Sequence, residues 1–263
     1  MPLTPGSETN RLKRRVAAGE VALMAGNFES PDMVDLVGSL GLFDGIWIDM
    51  EHGPVVMSSL ADMSRAADLW GMTSIVRVRG VLPDLIGLTL SQGIQGVIVP
   101  HVTTRVHAEL IVDAAKVPPM GHRGAFGGRR AYGRPLAEHN RRLNDETFVA
   151  VMIEDLAGVE NLPDILQVPH IDAFFVSHYD LAQDMGLHTD VHNPRLVETY
   201  DAAIAQIVGA SRVAAAVVAD ADLEKYLKMG VRCLKVPGWQ ALLTNGYRTF
   251  VDRLGEARVG TGS

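Results

Sequence analysis

One cysteine, Cys233, stands in 263 residues. An intrachain disulfide is excluded, and so is a zinc cluster built on cysteine thiolates. So little cysteine points to a reducing compartment, and a cytoplasmic location is expected. Long apolar runs are also missing: nothing approaches the about 18 residues of a membrane span. The N-terminal MPLTPGSETNRLKRR is polar and then basic, and the apolar VALMAGNF that follows is short and bounded by charge. That stretch fits a strand better than a signal-peptide core. Positive charge is in deficit, with 24 Lys+Arg against 31 Asp+Glu and a formal net charge of -7. Neither a nucleic-acid surface nor a patch for an anionic membrane is expected from that balance. No GxGxxG follows the first strand-like segment, which weakens a dinucleotide-binding fold.

What is present is a rhythm. Short, nearly unalternated apolar runs recur at 21–26, 45–50, 73–78, 96–102, 149–154, 173–178, 213–218 and 233–237. Strands buried on both faces read this way. Between them lie amphipathic stretches such as SPDMVDLVGSLG and NPRLVETYDAAIAQIVGAS, several opening on Ser, Asp or Asn and closing on Gly, as helices do. Eight such units in this length predict a (β/α)8 TIM barrel, with a doubly wound sheet as the competitor. No linker, low-complexity tract or repeat divides the chain, so a single domain over 1–263 is expected, its core at about 10–245. Two segments break the rhythm. VPPMGHRGAFGGRRAYGRP at 117–135 has loop composition, and its Arg123, Arg129, Arg130 and Arg134 read either as an anion funnel or, the favoured reading, as a solvated loop or subunit contact. Residues 240–254 read as a last helix, and EARVGTGS as a fraying tail.

Charges close several of the apolar runs. Glu154 ends VAVMIE, and Asp180 follows AFFVSHY. Strand C-termini converge on one face of a barrel, so two carboxylates there suit a hard divalent cation: Mg, Mn or Co. A helix cap or a salt bridge to a loop arginine is the competing reading. Asp49, Glu51 and His52 follow the second run, where an Asp against an imidazole would make a general base. Arg77 and Arg79 close the third run, and an Arg at a barrel mouth suits a substrate carboxylate or charge developing on oxygen. Pairing of that arginine with Asp49 or Glu51 is the structural counterpart. His101 and His178, at strand ends, read as extra ligands or polar lining, whereas Trp47 and Cys233 read as core.

Five segments taken in order resemble the HpcH/HpaI aldolase family, the class II pyruvate aldolases. They are WIDMEHGP at 47–54, IVRV at 75–78, GIQGVIVPHV at 93–102, HRGAFGGRRAYG at 122–133, and IEDLAGVENLPDIL with IDAFFVSHYDLAQDMG between 153 and 186. The resemblance implies a barrel whose C-terminal helix is exchanged between subunits of a homohexamer, a trimer of dimers. It implies Glu154 and Asp180 as metal ligands, His52 and Asp49 as a catalytic dyad, and Arg77 as the stabiliser of an enolate oxygen. It places the pyruvate carboxylate near the backbone of Tyr179 and Asp180, beside Ser177 and His178. The implied reaction is reversible aldol cleavage of a 4-hydroxy-2-oxo acid to pyruvate and an aldehyde, with metal-bound water or His52 as base. Oxaloacetate decarboxylation is a side activity of the same chemistry. A CoA-ester lyase of the citryl or malyl type and a non-catalytic barrel that binds a metal and an oxo acid are the alternatives. No Schiff-base lysine is required, and Lys235 in the eighth run is the candidate for that route. The chain departs from the family pattern at Ser91, Met152, Ser177-His178 and Trp239-Gln240, which implies an altered substrate preference.

Overall fold

Eight parallel strands close on themselves in chain order, and the eighth pairs back on the first. They are β1 Ala22–Gly26, β2 Gly45–Asp49, β3 Thr73–Arg77, β4 Gly96–Val99, β5 Phe148–Ile153, β6 Ala173–Val176, β7 Ala214–Val217 and β8 Cys233–Lys235, with helices between them. The fold is the (β/α)8 barrel that the apolar rhythm predicts. The computed structural model describes residues 9–125, 128–218 and 220–260. Strands stop where the backbone cannot continue. The fourth run ends at Val99 because Pro100 has no N–H to give a ladder and His101 takes a positive φ of 55°.

Side chains alternate along each strand. Met24, Trp47, Ile75, Ile98, Phe148, Met152, Phe175 and Cys233 fill the barrel interior. The residues between them, among them Ile46, Val76, Val149 and Phe174, pack against the helices in the larger outer cluster. Trp47 and Phe175 meet edge to face across the interior, with ring centroids 5.3 Å apart. The helix Arg11–Ala17 plugs the N-terminal end. Asn10 caps it by accepting a hydrogen bond from the Lys13 N–H, the Leu12 N–H donates to Thr73 Oγ1, and Leu12 and Val16 join the interior cluster. With that end sealed, the C-terminal end is the one left for a ligand.

The loop after the helix Arg105–Ala115 lies at the sealed end. Arg129 and Arg130 reach Asp68, at the end of the helix Leu60–Leu69, and Arg130 Nε donates to the Gly93 carbonyl at 2.6 Å. These two arginines are therefore structural cations paired within the chain, and Arg123 is buried as well, which corrects the favoured reading of a solvated loop for these three. Phe126 and Gly127 of that loop lie outside the described residues. The last helix runs Trp239–Gly260, longer than 240–254, and takes in most of the stretch expected to fray; residues 261–263 lie outside the described residues. It reaches past the barrel with Leu242, Leu243, Tyr247, Phe250, Val251 and Leu254 exposed.

Phe175 is fully buried in the interior cluster, where little can move to fill a void. Phe175→Ala is expected to cost about 3–5 kcal/mol. A urea titration followed by circular dichroism reads this as a lower midpoint with the slope unchanged.

Candidate active site

Alternation turns Asp49, Arg77 and Glu154, at the ends of β2, β3 and β5, into the barrel mouth. The β2–β3 register sets Asp49 directly beside Arg77. Arg77 donates through Nε to Asp49 Oδ1 at 3.0 Å and through Nη2 to Asp49 Oδ2, and its Nη1 forms an ion pair with Glu51 Oε2 at 2.8 Å. The guanidinium carbon lies 5.6 Å from the centre of the Trp47 ring, a cation–π floor. Burial works against charge at both partners, yet their mutual hydrogen bonds and charges prevail: the Asp49 carboxyl sits below its ordinary pKa and Arg77 above its own.

In this structure the Asp49 carboxylate pairs with Arg77 and makes no contact with the His52 ring. Asp49 Oδ1 accepts from the backbone N–H groups of Glu51 at 3.0 Å and His52 at 3.3 Å, not from an imidazole. The side-chain capacity of Asp49 goes to the arginine that strand register places next to it. The His52 ring instead faces Glu51, with Nε2 3.7 Å from Oε2, and is largely exposed.

Glu154 is 1% exposed. Its Oε1 accepts from the His101 backbone N–H at 2.8 Å, while its Oε2 is buried without a partner. Burial, with the nearby charges of Asp180 and Glu51, pushes this carboxyl up to about 7 against the opposing pull of His101. Glu51, His101 and Glu154 each bring a ligand atom within 4.8 Å of the others, an arrangement that can hold a metal ion. The His101 ring also lies 3.2 Å from Asp155; its partial burial opposes protonation, but Glu154, Asp155 and Glu51 raise its pKa overall.

Asp180 sits in the first turn of the helix His178–Asp184 and accepts from Ser177 Oγ at 2.8 Å. It stands outside the group of three, although its charge is felt at Glu154. Tyr179 is exposed. The His178 ring is not polar lining of the mouth. It stacks on Tyr200 at 3.7 Å, and its Nε2 lies 2.8 Å from the Tyr226 hydroxyl in the helix layer, where burial lowers its pKa to about 4. That leaves the backbone at 178, not the imidazole, for any ligand. The structure thus gathers Asp49, Arg77, Glu154, Glu51 and His101, with Asp180 and His52 at the edge. Sequence reasoning gave Glu51 only the structural part of a partner for the arginine, which it fills, and not its place beside Glu154 and His101.

The family profile described as HpcH/HpaI aldolase/citrate lyase matches residues 25–238. The chain belongs to this family and is a lyase of the aldolase type. It is 31% identical over 234 residues to a hydroxypyruvate/pyruvate aldolase of Roseovarius nubinhibens, covering 87% of this chain and 90% of that one. It is 28% identical over 253 residues to a 4-hydroxy-2-oxo-heptane-1,7-dioate aldolase of Shigella flexneri, covering 94% of each. The crystal structure of an HpcH/HpaI aldolase from Desulfitobacterium hafniense superposes with a TM-score of 0.86 at 26% identity, covering 93% of this chain and 96% of that one.

The donor set fits a hard divalent cation: oxygen ligands dominate, and one buried carboxylate oxygen has nothing else to bind. Because the Glu154 carboxyl is protonated below about 7 in the metal-free protein, a cation has to displace that proton. Affinity for Mn2+ is therefore expected to rise with pH through that region and level off above it. Calorimetry in buffers of different ionisation enthalpy is expected to show a proton released at pH 6 and little release at pH 8.

Proposed function

We propose that the protein is a metal-dependent carbon–carbon lyase that cleaves a 4-hydroxy-2-oxo acid reversibly into pyruvate, or a related 2-oxo acid, and an aldehyde. The observation that carries this is the partnerless, fully buried oxygen of Glu154 close to a twice-paired arginine at the open end of the barrel. Glu154 and Asp180 are the residues assigned to hold the cation, with Mg2+, Mn2+ or Co2+ the candidates. When bound, it supplies Lewis acidity toward the keto oxygen of the 2-oxo acid and acidifies the neighbouring carbon.

The protein's own groups do the rest. Arg77, fixed by Asp49 and Glu51, presents positive charge that needs no reorganisation as charge develops on the enolate oxygen. His52 Nε2, near Glu51 and open to solvent, takes and returns the proton. In this role Glu51 replaces Asp49 as the carboxylate beside the imidazole. The backbone of Tyr179 and Asp180, in the first turn of a helix next to Ser177 and His178, is placed to receive the oxo-acid carboxylate. The relatives named as aldolases support the same reaction class.

The methyl protons of pyruvate are expected to exchange with deuterated solvent only when Mg2+, Mn2+ or Co2+ is added. Absence of exchange in the metal-loaded protein would falsify the enolate chemistry. Glu154→Ala is expected to abolish metal binding in a calorimetric titration, whereas His52→Ala keeps it and loses exchange by about 100-fold or more. Equal metal affinity in the two variants removes these role assignments.

The partners proposed are the oxo acid, the aldehyde and further copies of this chain. The apolar residues of Trp239–Gly260 extend where their own barrel cannot bury them, and the groove between this helix and Phe28, Met33 and Leu36 has a cavity of about 350 Å³. Exchange of this helix within a hexamer covers such a face. Phe250→Asp together with Leu254→Asp is expected to lower the mass found by sedimentation to that of smaller species; an unchanged hexamer, or a wild-type monomer, counts against helix exchange.

A further inference from the structure

The barrel mouth holds one more cation, which the mechanism leaves unused. Lys235 ends β8, and the alternation that puts Cys233 inside the barrel turns its side chain inward too. It is 5% exposed. Its Nζ lies 5.3 Å from the centre of the Trp47 ring, the same ring that lies under Arg77. The room for it comes from β1: a Cβ at Gly26 would stand 2.7 Å from Lys235 Cε and 3.4 Å from its Nζ. Gly26 has no positive φ to account for the glycine, so the missing side chain serves space and not backbone conformation. A long charged side chain is thus accommodated deep in the mouth by the absence of a neighbour.

Arg77 is satisfied by two carboxylates, but no described carboxylate or carbonyl accepts a hydrogen bond from the Lys235 ammonium. Asp49, whose charge reaches it, has its oxygens turned to Arg77. Lys235 Nζ is not among the buried unpartnered polar atoms, so the exposed fraction of this residue includes its ammonium, which faces the open mouth with no protein acceptor and is free to pair with an incoming anion. Burial and the charge of Arg77 lower the lysine's pKa to about 8, with Asp49 opposing, so the group is mainly cationic at neutral pH. In strand order β8 lies three strands from β5 and two from β6, which bring Glu154 and Asp180; Arg77 feels the charge of Glu154, and Lys235 feels that of Arg77. With the 2-oxo acid end at the acids and its oxygen at Arg77, the aldehyde half has Lys235 as the cation beyond Arg77 to reach.

We propose that Lys235 is a specificity-determining residue that binds a carboxylate on the aldehyde half of the substrate, so that the preferred acceptor is an aldehyde acid and not a neutral aldehyde. This rests on the aldolase reading above. A carboxylate fits better than a phosphate, because a single ammonium offers neither the several donors nor the backbone amides that a phosphate dianion takes.

The test compares succinate semialdehyde with butanal as acceptors for pyruvate, at saturating Mn2+, in the wild type and in Lys235→Met. The methionine fills the same space beside Gly26, so the melting temperature is read alongside to confirm folding. The ratio of kcat/KM for the acid over the neutral aldehyde is expected to fall about 10- to 100-fold in the variant, the loss of one charged hydrogen bond. A ratio within about two-fold of the wild type overturns the assignment. A wild type that neither exchanges pyruvate protons nor adds any aldehyde sinks the aldolase reading instead, and Lys235 is then judged by binding alone. In that case calorimetric preference for glutarate over pentanoate is expected in the wild type and lost in Lys235→Met. Equal preference in the two proteins overturns the proposal.

Discussion

The mouth of the barrel is organised by one guanidinium. Arg77 lies over the Trp47 indole and is held by both Asp49 and Glu51. A cation so fixed cannot swing away when a ligand arrives, and it defines the potential that every other group at the mouth experiences. Asp49 ionises readily because of it, and Lys235 loses proton affinity because of it. The position follows from strand register: Asp49 and Arg77 are the last inward residues of adjacent parallel strands, so closing the sheet makes them neighbours.

The remaining charges show what this centre lacks. Asp49 and Glu51 share the one charge of the arginine, whereas Glu154 is buried with an open oxygen and with Asp180 close enough to raise its pKa. A buried acid whose ionisation burial and a neighbouring carboxylate disfavour gains more from a shared cation than from remaining unpaired. The burial that holds back Glu154 therefore favours a divalent ion there, and the sealed N-terminal end leaves the mouth as the route to it.

The barrel was legible because its strands are buried on both faces and appear as unbroken apolar runs. Glu154 was legible for the same reason, as a carboxylate following VAVMI with inward parity. The pairing of Arg77 with Asp49 or Glu51 was legible as the structural reading of an arginine at the barrel mouth, and both pairs form. Sequence proximity could not rank it against Asp49 with His52, three residues apart, because the Arg77 contact spans 28 residues and depends on register between strands. His101 was hard to place because its positive φ, which brings its N–H onto Glu154, belongs to a loop conformation and not to a pattern of side chains. His178 shows the converse: it has the right chain position, but its ring is drawn out of the mouth by Tyr200 and Tyr226, from helices later in the chain. The length of the last helix was underestimated because its polar end carries no apolar period to mark it.

The glycine facing Lys235 bears on where that charge is aimed. A Cβ at position 26 would stand 2.7 Å from Lys235 Cε, and the end of a flexible side chain yields to it by changing rotamer. The two sites are thus coupled through the direction of the ammonium: a lysine at 235 behind alanine or serine at 26 keeps its charge but aims it elsewhere.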